Sequence, residues 1–533
     1  MTLTAVVVAA LSVSSPAAAQ LRRSSPSSLG SYDPPSGELP FVGTAQAVCG
    51  SPTGGEAQCL SDVLHPSGVA PDATSPTGLA PSVIEGVYGY TSASRAGAGQ
   101  TIAIVDAYND PYAASDLNAF SAEYGLPLEC TGGSSPPSCF DFTQVDQTGG
   151  SNLPTNDANW SLEISLDIEW AHALAPAASI QLVEAANSSL PNLLAAEQYA
   201  AANASYVSNS WGTGEFAGET NYDSSFSTPG VSYFVAAGDA GGGVEWPSSS
   251  PQVISVGGTS LKFGSGNNLS QESAWSSGGG GCSSYETAST FQLTGSVNCG
   301  GRRATPDLSL DADPASGVSV YDSYAYNGQS GWWTVGGTSA STPMVTAEAA
   351  VAGADLGASY LYASPSYIAL RDITAGSNGY PALAGYDLAT GLGSWSFTPG
   401  APTSLGATGT PGGLALSWSA PSGAQATSYS IWRGSIAGGE TTELATLSAP
   451  TTTYSDTSAT GGSTYYYEVR ASDNLGTGPP SNEASATMGN FHTVVFDANG
   501  GSATMPAESE DAPAPLTSNT SRAFAASCST PLS

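Results

Sequence analysis

Positive charge is nearly missing from this sequence. Ten Lys and Arg stand among 533 residues, Lys262 is the single lysine, and 44 Asp and Glu bring the net charge to −34. Such a chain repels nucleic acid and anionic lipid, so a polyanion-binding role is excluded. Charged residues of either sign make up only 10% of the chain, against a usual quarter. Near pH ~4 many carboxyls take up protons and the self-repulsion falls, which suits a protein that works in acid. Histidine is scarce too, with only His65, His172 and His492 to supply a neutral-pH base. No segment approaches the ~18 unbroken apolar residues of a membrane helix, so no membrane span is expected. The length suits three or four units at ~150 residues each, which excludes a mini-protein held by disulfides alone.

Residues 5–13 form a short apolar run, and Ala17-Ala18-Ala19 before Gln20 reads as a signal-peptidase site, giving a signal peptide over 1–19 and a secreted protein. The seven cysteines fall as close pairs, Cys49/Cys59, Cys130/Cys139 and Cys282/Cys299, with Cys528 left over. Local pairing in an exported chain is the simplest reading, and no CxxC or neighbouring His supports zinc instead. Residues 20–75 are rich in Pro, Ser and Gly and read as a short, poorly structured leader.

From about Val83 the texture changes. Apolar strand patterns at 100–105, 179–184, 206–210, 231–237 and 253–256 alternate with helical patterns at 111–124, 159–175 and 190–203. That alternation predicts a parallel α/β sheet flanked by helices. A further helix is expected over 342–356. Pro399-Gly400-Ala401-Pro402 marks a boundary, after which alternating strands surround Trp418 and the run Thr464–Arg470. Residues 401–488 resemble a fibronectin type III sandwich, an all-β unit with Trp418 in its core. Residues 491–506 resemble the opening of a bacterial surface-protein repeat, and 489–533 is expected to be an incomplete repeat and a disordered tail.

Three places can carry chemistry. In Gly337-Thr338-Ser339-Ala340-Ser341-Thr342-Pro343 the glycine allows a tight strand-to-helix turn, and the helix start sets backbone N–H groups beside Ser339. A plain helix cap in a Ser/Thr-rich chain is the alternative, and a serine nucleophile needs a base. Along the 159–175 helix, at ~100° per residue, Glu163 and Asp167 share a face with Leu166, Trp170 and Leu174, and His172 points ~180° away from Glu163. His172 is therefore expected on a solvated face. Two carboxyls on an apolar face would share a proton and raise one pKa. Asp239, at the end of Tyr233–Ala237, could donate to an oxyanion only if protonated; an ordinary turn aspartate is its alternative.

Together, ExxxD at Glu163 and Asp167, AAGDAG at Asp239 and GTSASTP at Ser339 resemble the sedolisin family of serine-carboxyl peptidases. Segments Ile104–Asp106, Ser208–Gly212, Val253–Thr259 and Pro306–Ser309 match as well, and the likeness spans 76–399. It implies a subtilisin-like fold and acid proteolysis, with Ser339 as nucleophile and Glu163 as general base. Asp167 would orient Glu163, Asp239 would donate to the oxyanion, and Asp106 and Trp211 would extend the acid network. It also implies one structural calcium ion, held by Asp372 and Asp387 side chains and the Ile373, Leu383 and Gly385 carbonyls; two carboxylates among backbone oxygens suit a hard cation. Many members carry a large folded propeptide, whereas about 55 residues separate Gln20 from the catalytic unit here.

The expected function is a secreted, monomeric, acid-active endopeptidase for proteins and peptides, with a cell-wall or polymer ligand open for the C-terminal modules. Two alternatives stand beside it: a catalytically inactive adhesive scaffold, and a neutral subtilisin-like protease using Asp106, His172 and Ser339.

Overall fold

The computed structural model describes residues 40–494 and 508–511, apart from 53, 67–73, 90–95, 132–135, 137, 265–268, 294–298, 354–357, 364–369, 396–400, 421–425 and 473–476. The expected signal peptide and Cys528 lie outside the described residues. Short apolar, β-branched runs form the central sheet. From one edge to the other, its strands are Phe142–Asp146, Ser179–Ala185, Thr101–Ala107, Tyr206–Asn209, Ser232–Ala236, Ile254–Phe263 and Leu269–Ala274. All these neighbours pair parallel except the last two strands, and Leu308–Asp311 also joins Ile254–Phe263 in parallel. Parallel pairing requires helical crossovers, which cover the faces and explain why Ile102–Val105 and Val235–Ala237 are wholly buried.

The helices Ala158–Leu174 and Thr338–Ala352 pack against each other, and Leu190–Asn203 packs on Thr101–Ala107 and Ser179–Ala185. Asp157 caps the first of these through the Asn159 and Trp160 N–H groups. Trp160 through Leu174 are all buried, so this helix has no solvated face.

The expectation that 20–75 is poorly structured is corrected over its described residues. Gly43–Ala47 and Asp62–Pro66 pair antiparallel and extend the hairpin Val318–Tyr326/Gln329–Gly336 into a four-stranded sheet. Gln58–Cys59 adds a strand to Trp211–Gly214. Val48, Leu60, Val63 and Leu64 are core residues; a few apolar anchors suffice when neighbouring strands supply the backbone partners, and composition averages them away. The three expected cysteine pairs are disulfides.

In the C-terminal unit, Thr403–Thr410, Gly413–Ser419 and Thr453–Asp456 form one sheet. Thr442–Ser448, Ser428–Gly434 and Thr464–Ser472 form the other, with Thr477–Pro480 and Ala484–Thr487 along its edge. This is the arrangement of a fibronectin type III-like sandwich. Leu414, Leu416, Trp418, Tyr429, Ile431, Tyr467 and Val469 fill its core. Beyond it, Phe491–Val494 pairs antiparallel with Glu508–Asp511, so the expected tail contains a strand pair.

Candidate active site

The strand Gln329–Gly336 ends at Gly337, whose φ of 98° favours glycine. A Cβ there would lie 2.7 Å from Asp239 Oδ2 and closer still to the Leu60 carbonyl oxygen. The helix then starts at Thr338, earlier than its apolar pattern at 342–356 predicts, and Thr342 Oγ1 donates to Thr338 O at 2.7 Å. Ser339 thus sits in the first turn with its N–H free of intrahelical partners. Pro343 lies inside the helix. Lacking an N–H, it cannot donate to the Ser339 carbonyl. Ser210 Oγ stands 3.5 Å from that oxygen.

Ser341 is turned away, donating to Gly257 O at 3.0 Å and Thr338 O at 2.9 Å. Ser339 Oγ instead faces Leu60 and Ser210, donating to Ser210 O at 3.2 Å. Ser210 Oγ in turn donates to Asp167 Oδ1 at 3.0 Å.

Glu163, Asp167 and Asp106 are fully buried. Their pKa values are all raised, above all by burial. For Glu163 the Asp106 charge comes next, for Asp167 the Asp106 and Glu163 charges, and for Asp106 the Glu184 charge. The hydroxyls of Ser339 and Ser61 lie near enough to Glu163 to favour its charged form, although neither completes a hydrogen bond to it. Like charges so close cannot all ionise.

Asp239 is also buried and its pKa lies well above the usual range, through burial first and the Asp62 charge second. Its Oδ1 accepts from Thr338 N and Thr338 Oγ1, each at 2.8 Å. Oδ2 is therefore the oxygen left to carry a proton. Trp211 is buried against Trp246, with ring centroids 6.3 Å apart.

His172 does point away from the Glu163 face, but it is buried rather than solvated. Nε2 donates to Pro127 O at 2.9 Å, since a carbonyl can only accept, and the ring stacks on Phe140 at 3.8 Å. Burial lowers its pKa to about 4. It does not join the site, and the packing of helix 113–124 and its following loop over this face explains the difference. His65 lies on the strand opposite Thr44.

The expected calcium residues do gather on one loop. Asp372 Oδ2 accepts from Gly385 N at 3.0 Å and Asp387 Oδ2 from Leu383 N at 2.8 Å. Ile373 is buried and Leu383 exposed. Asp387 Oδ1 also accepts from Ala389 N and Thr390 N, and a donor set of two carboxylates with backbone carbonyls would suit a hard cation. Elsewhere, Asp110, Asp116 and Asp322 bring carboxylate oxygens within 4.8 Å of one another. Burial raises the pKa of all three.

Sequence reasoning missed Leu60, Ser61 and Asp62, which meet Ser339, Glu163 and Asp239. The only local signal was Cys59, whose pairing with Cys49 marks an ordered turn.

Comparison with known proteins agrees with this geometry. The Subtilase family profile (Peptidase_S8) matches residues 155–363. Kumamolisin of Bacillus sp. (strain MN-32) is 31% identical over 342 residues, covering 56% of this chain and 58% of that protein. Sedolisin of Pseudomonas sp. (strain 101) is 34% identical over 177 residues, 30% of this chain and 28% of that one. This chain thus spans little more than half the length of one relative and about a quarter of the other. A solved Pseudomonas sedolisin, described as a serine-carboxyl proteinase complexed with pseudo-iodotyrostatin, superposes with a TM-score of 0.51 at 28% identity. That match covers 60% of this chain and 96% of that structure. The chain therefore carries a sedolisin-like domain of subtilisin-like fold, followed by a fibronectin type III-like sandwich.

Proposed function

We propose that this protein is a secreted, acid-active serine-carboxyl endopeptidase that cleaves protein substrates through an acyl-enzyme at Ser339. The observation that carries the reading is the position of Ser339: first helical turn, Oγ within the reach of Glu163, and no histidine beside it among the described residues. In this reading Ser339 Oγ attacks the substrate carbonyl and Glu163 takes its proton, then returns it to the leaving amine. Asp167, fixed by Ser210, orients Glu163 and shares its proton. The Ser339 N–H and a protonated Asp239 Oδ2 stabilise the oxyanion. The mechanism needs an ionised Glu163 together with a protonated Asp239, and acid secures the second of these.

Calcium, when bound, would tie the 372–387 loop through Asp372, Asp387 and the carbonyls of Ile373, Leu383 and Gly385. A chelator should then lower the melting temperature of the peptidase-like unit, and unchanged metal content and melting would remove calcium from the proposal. Three disulfides favour an oxidising, extracellular setting. No helix among the described residues is long and apolar enough to cross a membrane.

The deciding experiment is hydrolysis of a denatured protein from about pH 2.5 to 8, comparing the parent with Ser339→Ala and Glu163→Gln. An acid optimum, lost by about 10³-fold or more in both variants, is expected. A neutral optimum that survives Glu163→Gln would overturn the carboxyl mechanism. A folded, calcium-loaded parent with no activity at any pH would favour the adhesive scaffold.

A further inference from the structure

The helix Ala158–Leu174 carries carboxyls on two opposite faces. Glu163 and Asp167 belong to the serine side. Ser161, Ser165 and Glu169, each four residues from the next, form a stripe roughly opposite them. That stripe meets Asp110, Asp116 and Asp322. The first precedes the helix Ala113–Tyr124, the second lies in its first turn, and the third comes from the strand Val318–Tyr326. Ser161 Oγ donates to Asp322 Oδ1 at 3.2 Å, and Ser165 Oγ stands 3.5 Å from Asp110 Oδ2. All six residues are buried.

The local donors satisfy only part of this cluster. Tyr112 N–H donates to Asp110 Oδ1 at 2.8 Å and Tyr324 N–H to Asp322 Oδ1 at 2.9 Å. Asp116 is held by Ser323, whose N–H and hydroxyl each reach it at 2.8 Å. Asp322 Oδ2 is buried with no hydrogen-bond donor. So is Glu169 Oε1, although its other oxygen accepts from Tyr321 N at 3.0 Å. Glu169 lies close enough for charges on Asp116, Asp322 and Asp110 all to disfavour its ionised form. None of these four carboxyls joins an ion pair among the described residues. Dry carboxyls with bare oxygens are costly unless a positive charge meets them.

The spacing suits a metal ion. One oxygen from each of Asp110, Asp116 and Asp322 lies within 4.8 Å of the other two. Oxygens on opposite sides of a calcium ion, each at ~2.4 Å from it, stand about that far apart, so one ion can touch all three. The Ser161 and Ser165 hydroxyls add neutral oxygens. With no sulfur or imidazole in the set, a hard cation is favoured over zinc or copper.

We propose that Asp110, Asp116 and Asp322 hold a calcium ion at a second site, apart from the 372–387 loop, with Ser161, Ser165 and Glu169 around it. The ion ties the helix Ala158–Leu174 to the strand Val318–Tyr326 and to the start of Ala113–Tyr124, from the side opposite Glu163 and Asp167. Tyr112 and Tyr324, each two residues beyond a ligand, meet with their rings 6.0 Å apart. Tyr112 is 47% exposed, so the cluster lies one layer beneath solvent and an ion can enter. Neither the serine-carboxyl reading nor the loop ion is needed for this site.

The test is calcium content. The full chain is stripped with chelator, dialysed against calcium at about pH 6, where protons compete less for the carboxyls, and counted by atomic emission. The parent is compared with Asp322→Asn and with Asp387→Asn in the 372–387 loop, each checked for folding by thermal melting. Asp322→Asn should hold one calcium fewer than the parent, and its melting temperature should rise less on adding calcium. Asp387→Asn should still hold one. If the parent holds one ion and Asp322→Asn none, the loop ion falls and this site stands. Unchanged content in a folded Asp322→Asn, or no calcium in a folded Asp387→Asn or in the parent, would overturn the proposal. Should Asp322→Asn fail to fold, the Asp387→Asn count decides by itself.

Discussion

The two folded units treat a buried aspartate in opposite ways. In the sedolisin-like domain, Asp239 and Asp167 have no cation beside them, and burial holds both carboxyls far above the ordinary range. In the sandwich, Asp456 is also buried, and burial pulls its pKa upward. There the hydrogen bonds from Ser458, Tyr467 and Arg433 override burial and leave it below the ordinary value. Arg433 Nη1 and Tyr467 Oη each reach Asp456 Oδ2 at 2.8 Å, tying one sheet to the other. With ten basic residues in the chain, most buried acids must go without a partner. Burial alone therefore does not set the charge of a carboxyl; the donors built around it do.

This contrast can be broken or sharpened experimentally. The largest effect should come from Asp239. Asp239→Leu removes the proposed oxyanion donor and should cost about 10²–10³ in kcat. Asp239→Asn keeps a neutral donor and should retain far more activity and extend it to higher pH. Equal loss in both variants, read from pH–rate profiles, would mean that the carboxyl proton is not what matters.

Next in size is Asp456→Ala, which leaves Arg433 and the Tyr467 hydroxyl without their shared acceptor. It should destabilise the sandwich transition by about 2–4 kcal/mol in denaturant melts, with little effect on catalysis.

The smallest effect is also the most diagnostic. Glu197, remote from Ser339, has its pKa raised to about 8 by burial. A carboxyl raised in the folded state stabilises below its unfolded pKa, and that stability is lost as pH rises toward 8. Calorimetry of the full chain should thus show the peptidase-like transition falling from about pH 4.5 to 8. Glu197→Gln should soften that fall by about 1 kcal/mol or more while leaving the acid value nearly unchanged. Asp456 predicts the reverse for the sandwich, whose stability should be lost as pH falls below the ordinary aspartate range. Parallel pH dependences of the two transitions would break the comparison.

Much of this architecture was legible along the chain. The short apolar runs place the starts of five sheet strands to within a residue, and the 3.6-residue phase puts Glu163 and Asp167 on one face. Helix phase also turns His172 away from them, but it cannot say what covers the opposite face; Phe140 and Pro127 do, and the residue is core. The apolar run also begins too late to mark the start of the Ser339 helix, because its first turns, Thr338 to Thr342, are small and polar and carry no hydrophobic period.

The sequence by itself determined the chemistry available: a carboxyl-rich, base-poor chain in which carboxyls far outnumber histidines as bases. It also determined local elements and cysteine pairs, because hydrophobic period and short loop closure act between residues near in sequence. Only the tertiary structure decided which groups are dry and which of them meet. Leu60 reaches Ser339 across 279 positions, and Asp239 reaches Thr338 across 99. Those approaches are set by strand order and by the edge of Trp211–Gly214. A backbone strand can dock there with little side-chain signature, since its affinity resides in N–H and C=O groups that every residue carries.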